Sequence, residues 1–338
     1  MKLNIQFFAT QVTTMDSAGN DLSPEMQIYY EKRLLDAAEP KLVHDQFGDK
    51  YPIPAGGGKS IRLRRYTPLT KATTALTEGV TPQGRSLDVT TVNATVGQYG
   101  DYIQMSDMLL MTAIDNNVTQ ATKLLGAQAG RTLDTITRDV LVGGTNVLYA
   151  PKTVNGVKTD VEDRDELDAT ATLTPELFFR AAAILQSQNA ETIDDSYVAI
   201  IHPYAAYDLM RSQEWIDKTR YGDSEHYYNG EIGKIGNVRF VVSTEAKIWK
   251  DTTCPADGDD GHLAVFATLV LGAHAYGVTE VENGGLTHIV KQLGYGDDPL
   301  NQRASCGWKA TRAAERLVEQ YMVRIESCCS YSGTVNAN

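Results

Sequence analysis

The chain has 338 residues, 42% of them hydrophobic and 22% charged, an ordinary balance for a globular protein long enough to bury a sizeable core. Its formal net charge of −12 at pH 7 argues against a protein that binds nucleic acid through a basic face. The four cysteines, Cys254, Cys306, Cys328 and Cys329, show no zinc spacing and are too few for a disulfide framework, so we expect a reducing compartment. We expect the adjacent Cys328 and Cys329 to be small, partly buried side chains.

Residues 1–50 begin with a polar stretch and then predict one helix. Ser23-Pro24-Glu25 is a helix start, Ile28, Leu34, Leu35 and Ala38 give a modest apolar stripe, and Pro40 stops the helix. The apolar surface is too small for a core of its own, so the segment is typical of an arm that packs on something else. The opening MKLNIQFFAT is too short for a signal peptide, and the apolar stretch 263–278 is too short for a membrane span. We therefore expect a soluble, cytoplasmic product.

Residues 51–106 predict a long β excursion with little core. Ile61-Arg62-Leu63-Arg64 alternates with a period of two, and 87–96 forms a second strand region. Four turn or loop signals lie close together between them. A two-stranded hairpin is marginally stable alone, so this excursion needs a neighbour.

The strongest predicted helix spans 115–142. Asp115 is a candidate cap, and Gly143-Gly144 is a C-terminal stop signal. An apolar residue recurs at every third or fourth position and defines one face, made of Val118, Ala121, Leu125, Ala129, Leu133, Ile136 and Val140.

The remainder alternates helices with strands. The acidic run 162–166 is typical of a solvated loop. Helices are predicted over 175–189 and 204–210, and strands over 197–201, 238–242 and 263–271. Residues 286–327 return to β structure.

The sequence PAGGGKSIRLRRY at 54–66 contains Gly-Lys-Ser, the end of a phosphate-binding loop. That motif requires a glycine where Ile53 stands, a strand before it and a helix after it, and here a strand pattern follows. We read Gly56, Gly57 and Gly58 as a hinge. Arg62, Arg64 and Arg65 favour pairing with carboxylates of another subunit over direct DNA recognition.

The other motif candidates also fail. DGDDG at 257–261 places His262 and Thr268 where a calcium loop needs glycine and glutamate, and GYGDDP at 294–299 lacks the third glycine of a dinucleotide site. The six histidines are scattered, and no serine-hydrolase elbow occurs. We therefore predict no catalytic, cofactor-binding or metal-binding residues, and no cofactor.

The order of elements resembles a tailed-bacteriophage (Caudoviricetes) major capsid protein with the α+β Hong Kong 97-type fold. Individual segments are similar to those of the phage N4-like major capsid group. They are MKLNIQFFAT, GGGKSIRLRRYTPL, ALTEGVTPQG, VGQYGDYIQMSD, LGAQAGRTLDTITRDVLVGGTNVLYA, IIHPYAAYDL, IGNVRFVVSTEAKIW and VLGAHAYGV.

The resemblance implies a domain plan. It assigns 1–50 to an N-terminal arm, 51–100 to an extended loop (β hairpin), 101–173 to the first part of a peripheral domain with spine helix 115–142, 174–283 to an axial domain, and 284–338 to the second part of the peripheral domain.

The resemblance also implies a function. The chain would be a structural, non-enzymatic subunit that self-assembles into pentamers and hexamers of an icosahedral capsid around double-stranded DNA. Arg62, Arg64, Arg65 and Glu78 would contact a neighbouring subunit, and the hinge would let the loop change angle as a shell expands. An acidic chain fits a shell that contacts packaged DNA weakly and non-specifically.

The implied partners are further copies of the chain, a portal and a possible decoration protein, with no membrane involved. Assembly in the host bacterial cytoplasm and residence in the virion capsid are expected. Because Met1 is present, we also expect a separate scaffolding protein in place of a cleaved N-terminal domain.

Two other readings stay open. An encapsulin-type shell shares the fold but encloses an enzyme cargo, and the long arm argues against it. A nucleotide hydrolase built on Gly58-Lys59-Ser60 is the enzymatic alternative.

Overall fold

The computed structural model describes residues 12–13, 42–54, 56–66, 69–81, 83–112, 117–216, 231–257, 261–282, 284–291, 293–294 and 298–338. The chain divides into two compact units. The first comprises Met1–Leu42, Gly97–Leu133 and Asn283–Arg312, and the second comprises Val43–Val96, Asp134–Glu282 and Ala313–Asn338. The helix predicted after Ser23 lies outside the described residues.

The described elements are mixed α and β. The helices are α1 Asp107–Thr112, α2 Asn117–Val142, α3 Pro175–Ser187 and α4 Pro203–Met210. The strands are β1 Val12–Thr13, β2 Asp49–Lys50, β3 Ser60–Tyr66, β4 Val89–Thr95, β5 Gly97–Ser106, β6 Val147–Tyr149, β7 Lys152–Val154, β8 Val157–Thr159, β9 Tyr197–Ile201, β10 Glu231–Ile235, β11 Val238–Val242, β12 Ile248–Trp249, β13 Ala256–Asp257, β14 Gly261–His262, β15 Val265–Leu271, β16 Tyr276–Thr279, β17 Thr287–Lys291, β18 Arg303–Arg316 and β19 Met322–Ser327.

An antiparallel sheet organises the first unit. The first part of β18 lies between β5 and β17, with Gly307 opposite Tyr102 on one side and Ile289 on the other. The short β1 pairs in parallel with β5, so that Val12 lies opposite Gln104.

Helix α2 follows the apolar stripe that the sequence predicts. Ala121, Leu125, Ala129 and Leu133, four residues apart, are all buried. The helix ends at Val142, before the two glycines, as predicted. The proposed cap Asp115 lies outside the described residues.

The second unit is built on a sheet in the order β10-β11-β9-β15-β19-β6, and β12 also pairs with β15. Every residue of β9 and β15 is buried, which is why these strands read as continuous apolar runs in the sequence. The predicted strands 197–201 and 238–242 have the bounds that the structure shows.

Alternate side chains of β9 enter two cores on opposite faces of this sheet. Tyr197, Ala199 and Ile201 belong to one cluster, and Val198 and Ile200 belong to the other. Helix α3 lies in the first cluster, where Phe178 meets Phe240 edge to face with ring centroids 4.6 Å apart.

Residues 43–53 pack into the second unit. Val43, Phe47 and Ile53 are buried. The N–H groups of Tyr51 and Ile53 donate to the carbonyls of Val278 and Glu280, beside β16. The last part of the segment expected to be an arm therefore contributes to a core, while the assignment of 1–50 to an arm stays a prediction.

Candidate assembly surface on the β3–β4 hairpin

The three predicted hinge glycines form the turn that leads into β3. Gly56 and Gly58 have φ angles of +83° and +91°, a region that side chains other than glycine rarely adopt. The N–H of Gly57 donates to Pro54 O over 2.9 Å, and a Cβ on Gly57 would lie 2.9 Å from the same oxygen. All three positions therefore have a local reason to be glycine, and hinge motion stays a prediction.

Strands β3 and β4 form an antiparallel hairpin with two different faces. Ile61 and Leu63 are half-buried on one face, where Ala94 of β4 is buried. The opposite face is exposed along its whole length and carries Arg62 and Arg64.

The predicted cluster of three arginines is therefore divided. Arg62 lies opposite Asn93 and Arg64 lies opposite Thr91, both on the exposed face. Arg65 falls on the other face with Leu63, because strand side chains alternate. The positions of β4 that share the exposed face are Val89, Thr91, Asn93 and Thr95, so this face offers the two arginines no carboxylate.

The loop beyond the hairpin is exposed and apolar at several points. Leu76 is 77% exposed and Leu87 is 71% exposed, and Leu69 and Val80 are also exposed. Apolar residues concentrated on one exposed segment indicate an interaction surface, since a lone monomer gains nothing by presenting them.

Glu78 lies at a turn within this loop. The N–H of Val80 donates to Thr77 O over 3.2 Å, and Gly79 has a φ of +75°, as a turn with glycine at its third position requires. Arg85 ties the two sides of the loop together by donating to Thr70 O over 2.9 Å. Glu78 is exposed and is not brought next to the arginines of β3 by any contact described for it.

The structure contains no phosphate-binding loop at Gly58-Lys59-Ser60. Lys59 is followed directly by strand β3 and not by a helix, so no helix N-terminus is available there to hold an anion. The sequence-based exclusion of that motif is confirmed at this position.

The cysteines and one histidine are perturbed by burial. All four thiols are buried and free. Burial raises the pKa of Cys328 to about 12 and also raises the pKa of Cys329 and Cys254. Burial lowers the pKa of His202 to about 4, so this histidine stays neutral at pH 7. Within the described ranges, no three His, Cys, Asp or Glu side chains are placed to hold a metal ion.

Sequence reasoning missed a buried ionic cluster in the second unit. Arg164, in the run read as a solvated loop, donates from Nε and Nη2 to the carboxylate of Glu326 over 2.6 and 2.8 Å. Arg324 also reaches Glu326, over 2.8 Å, and donates to Gly144 O over 2.7 Å beyond the end of α2. The only sequence signal was one arginine inside an acidic run.

An exposed aromatic cluster was also missed. The ring of Tyr331 lies 4.9 Å from that of Tyr204 and 5.6 Å from that of Tyr207, centroid to centroid, and Arg211 lies over Tyr207. Tyr204 and Tyr207 are three residues apart on α4, whereas Tyr331 is remote from both in sequence, so spacing could not reveal the cluster.

None of the helices in the described part of the chain has both the length and the apolar character needed to cross a membrane.

A family model described as "Phage capsid protein" matches residues 89–314. A search of curated proteins gave no match. Among solved structures, the chain is similar to the capsid of cyanophage P-SCSP1u, with a TM-score of 0.64 and 14% identity over 96% of this chain and 100% of that one.

Two further structures extend this comparison. The chain is similar to the capsid of Ralstonia phage GP4, with a TM-score of 0.61 and 15% identity over 96% of this chain and 100% of that one. It is also similar to the holo-SrpI encapsulin complex of Synechococcus elongatus, with a TM-score of 0.53 and 10% identity over 86% of this chain and 89% of that one. At such identities the likeness concerns the fold.

Proposed function

The chain belongs to the phage capsid protein family, whose model covers more than half of it, and we propose that copies of it assemble as pentamers and hexamers into an icosahedral shell around double-stranded DNA. It is a structural protein of the capsid and not an enzyme. Its mixed α and β structure is the Hong Kong 97-type capsid fold that the sequence predicted.

The exposed β3–β4 hairpin and its loop carry the proposal. From Gly56 to Thr91 the described side chains are exposed or half-buried, although Leu69, Leu76, Val80 and Leu87 are apolar. A loop of this length without a core is uncommon in a compact domain unless it is functional. Burial against a neighbouring subunit gives it a physical reason to exist, at about 1.5–3 kcal/mol for each large apolar side chain that becomes fully buried.

The arginines add specificity to this contact. Arg62 and Arg64 stand on the exposed face of β3 with no carboxylate on that face. Arginine suits interface carboxylates because its planar group donates two parallel hydrogen bonds. We assign these two residues and Glu78 to contacts with a neighbouring subunit, and Arg65 to the half-buried face of the hairpin.

The remaining parts receive roles by the same proposal. Residues 1–50 act as the arm, 51–100 as the extended loop, α2 as the spine of a peripheral domain, and 174–283 as an axial domain around the symmetry axes. Membership of the phage N4-like group is part of the proposal and rests on the sequence segments quoted above.

The acidic chain would contact packaged DNA weakly. With a net charge of −12, the subunit as a whole repels phosphate, which suits a shell that must release its genome. A separate scaffolding protein, a portal and a decoration protein are the proposed partners, with assembly in the host bacterial cytoplasm.

An encapsulin-type shell is the second candidate, favoured by the similarity to the holo-SrpI complex. The contents of purified particles discriminate between the two. Nuclease-protected double-stranded DNA in particles from infected cells supports the capsid, and a protein cargo without DNA supports the encapsulin reading.

Electron microscopy of the expressed chain tests the assembly role. Rings, tubes or shells are expected, and a persistent monomer at high protein concentration would contradict the proposal. Leu76→Asp with Leu87→Asp should abolish these assemblies. Val157→Asp is a matched control, because Val157 is 66% exposed but lies outside the loop.

A further inference from the structure

The sheet of the first unit has one face that lies against α2 and one that does not. On the first face, Thr122 Oγ1 lies 3.4 Å from Cys306 Sγ, and Gln128 donates to Asp101 over 2.7 Å. The opposite face, here called the open face, carries the alternate residues of the three strands. These are Gln98, Gly100, Tyr102 and Gln104 of β5, Ser305, Gly307 and Lys309 of β18, and Thr287, Ile289 and Lys291 of β17.

The open face forms a trough with a glycine floor. A Cβ on Gly100 would lie 2.6 Å from Trp308 O, and a Cβ on Gly307 would lie 2.8 Å from Tyr102 Cβ, so neither position has room for a side chain. Tyr102 and Ile289 rise beside this floor and are 59% and 40% exposed. The cleft has a volume of about 590 Å³.

The charged side chains of the open face are all cationic, and Asp101, which also lines the cleft, belongs to the other face, where it accepts a hydrogen bond from Gln128. Lys309 lies on the central strand, Lys291 lies on β17, and Arg303, two positions before Ser305, falls on the same face. The β5 positions of this face carry no charge. An occupant that matches the trough therefore presents carboxylates together with some apolar surface.

We propose that residues 14–41 of the same chain bind in this trough. Six carboxylates in this segment stand against three cationic side chains, Lys32, Arg33 and Lys41. The other long exposed segment, residues 56–88, has the opposite balance, with six cationic residues against Glu78 and Asp88. The net negative charge of 14–41 therefore matches the cationic trough, whereas the net positive charge of 56–88 makes the extended loop an unfavourable occupant.

The connection to β1 favours the arm of the same chain over the arm of a second copy. β1 runs parallel to β5 and reaches Thr13 opposite Met105, at the end of the trough where Gln104, Ser305 and Lys291 pair across the sheet. A segment tethered there has a far higher effective concentration at the trough than a segment of a free second copy.

The length of the predicted helix also agrees with the length of the trough. The sequence DSAGND at 16–21 is rich in turn residues and would let the chain reverse. The predicted helix from Ser23 to Ala38 would be about 24 Å long. The trough from Gln98 to Gln104 extends about 20 Å along the strand. Ile28, Leu34 and Leu35 supply the apolar side chains of this segment, which match the exposed Tyr102 and Ile289 of the trough in chemistry.

This inference rests on the proposed assignment of 1–50 to an arm, but its test does not need a shell. The photoreactive residue p-benzoylphenylalanine is placed at the exposed position of Tyr102 in the full chain, and dissociated subunits are irradiated. Mass spectrometry should find the cross-link on a peptide within 14–41. An equal mixture of isotopically light and heavy chains should give light–light and heavy–heavy products only.

A charge variant provides the second arm of the test. Lys309→Glu should lower the cross-link yield about two- to fivefold, and added salt should lower it as well. Lys123→Glu is the matched control, because Lys123 is an exposed lysine of α2 in the same unit, and it should leave the yield unchanged.

Other products would overturn the inference. A cross-link to residues 69–88, to nucleic acid, or between light and heavy chains identifies a different occupant, and no cross-link shows an empty trough. Each of these results is compatible with normal shells by electron microscopy, so failure here is distinguishable from failure of the proposed function.

Discussion

Arg164 holds the carboxylate of Glu326 with two parallel hydrogen bonds, of 2.6 and 2.8 Å, although 162 residues separate them in sequence. The side chain of Glu326 is fully buried, and the guanidinium of Arg164 lies 3.7 Å over the ring of Trp249. The pair ties the loop after β8 to β19 in the second unit. A bidentate ion pair at a buried carboxylate is costly to break, because the remaining charge is left without its partner.

We expect Arg164→Met to lower the free energy of unfolding of the second unit by about 3 kcal/mol, with Arg324 limiting the loss by keeping its own bond to Glu326. Urea titration of dissociated subunits measures this change. Lys158→Met is the control, because Lys158 and Glu176 form an ion pair in which both side chains are more than half exposed, worth at most about 1 kcal/mol. Equal effects of the two variants would show that the buried pair contributes no more to the free energy of unfolding than the exposed pair does.

This pair marks the limit of what the sequence could predict. Helix α2 and strands β9 and β11 were predictable because their patterns lie within one segment. The division of the three arginines of β3 was also present in the alternation of the strand, since Arg64 and Arg65 are adjacent and must face opposite ways. The partner of Arg164 was not predictable, because Glu326 is far from it in sequence. Without a visible partner, a charged residue in an acidic run is predicted to be exposed to solvent.

The composition of the candidate assembly surface on the β3–β4 hairpin was predictable from the sequence, but its geometry was not. The turn signals and the missing core of 51–100 indicated a loop that needs a neighbour. The trough of the first unit was not predictable, because Gly100 and Gly307 become its floor only when β5 and β18 pair.

His274 should titrate above its ordinary range. A hydrogen bond to Asp49, 2.8 Å from His274 Nδ1, and the charge of that carboxylate raise the pKa of His274. Because the folded pKa is raised, the stabilising contribution is fully present below the unfolded pKa, near 6.5, and is lost as the pH rises through the folded pKa. The effect on stability should be small, since the His274 side chain is 60% exposed.

NMR titration of the imidazole in dissociated subunits measures this shift. Asp49→Asn should return the midpoint towards 6.5. Asp160→Asn, which removes the carboxylate paired with Arg180, should leave it unchanged. A midpoint that does not respond to Asp49→Asn would show that the pair does not form in solution.

The turn before β3 should tolerate alanine poorly. Gly58→Ala forces a side chain into a φ of +91°, and we expect a local cost of about 1 kcal/mol. Hydrogen exchange of the β3 and β4 amides in dissociated subunits should become faster. Gly84→Ala is the control, because Gly84 lies in the loop between β3 and β4 with open space around it and no positive φ. Unchanged exchange in Gly58→Ala would mean that the turn adapts without strain.

Charge reversal on the exposed face of β3 tests the assembly contact most directly. Arg64→Glu should leave the subunit folded, because Arg64 is exposed and Thr91, which lies opposite it on β4, is uncharged. Assembly should fall severely, since the variant would place a carboxylate against the carboxylates that we propose on a neighbouring subunit, and like charges across an interface cost several kcal/mol. Light scattering and electron microscopy measure assembly, and circular dichroism checks the fold. Lys152→Glu, on the separate β7–β8 hairpin, is the charge-matched control. Normal shells from Arg64→Glu would show that the exposed face of β3 does not contact a neighbouring subunit. The exposed apolar loop between β3 and β4 would then have to form the contact alone.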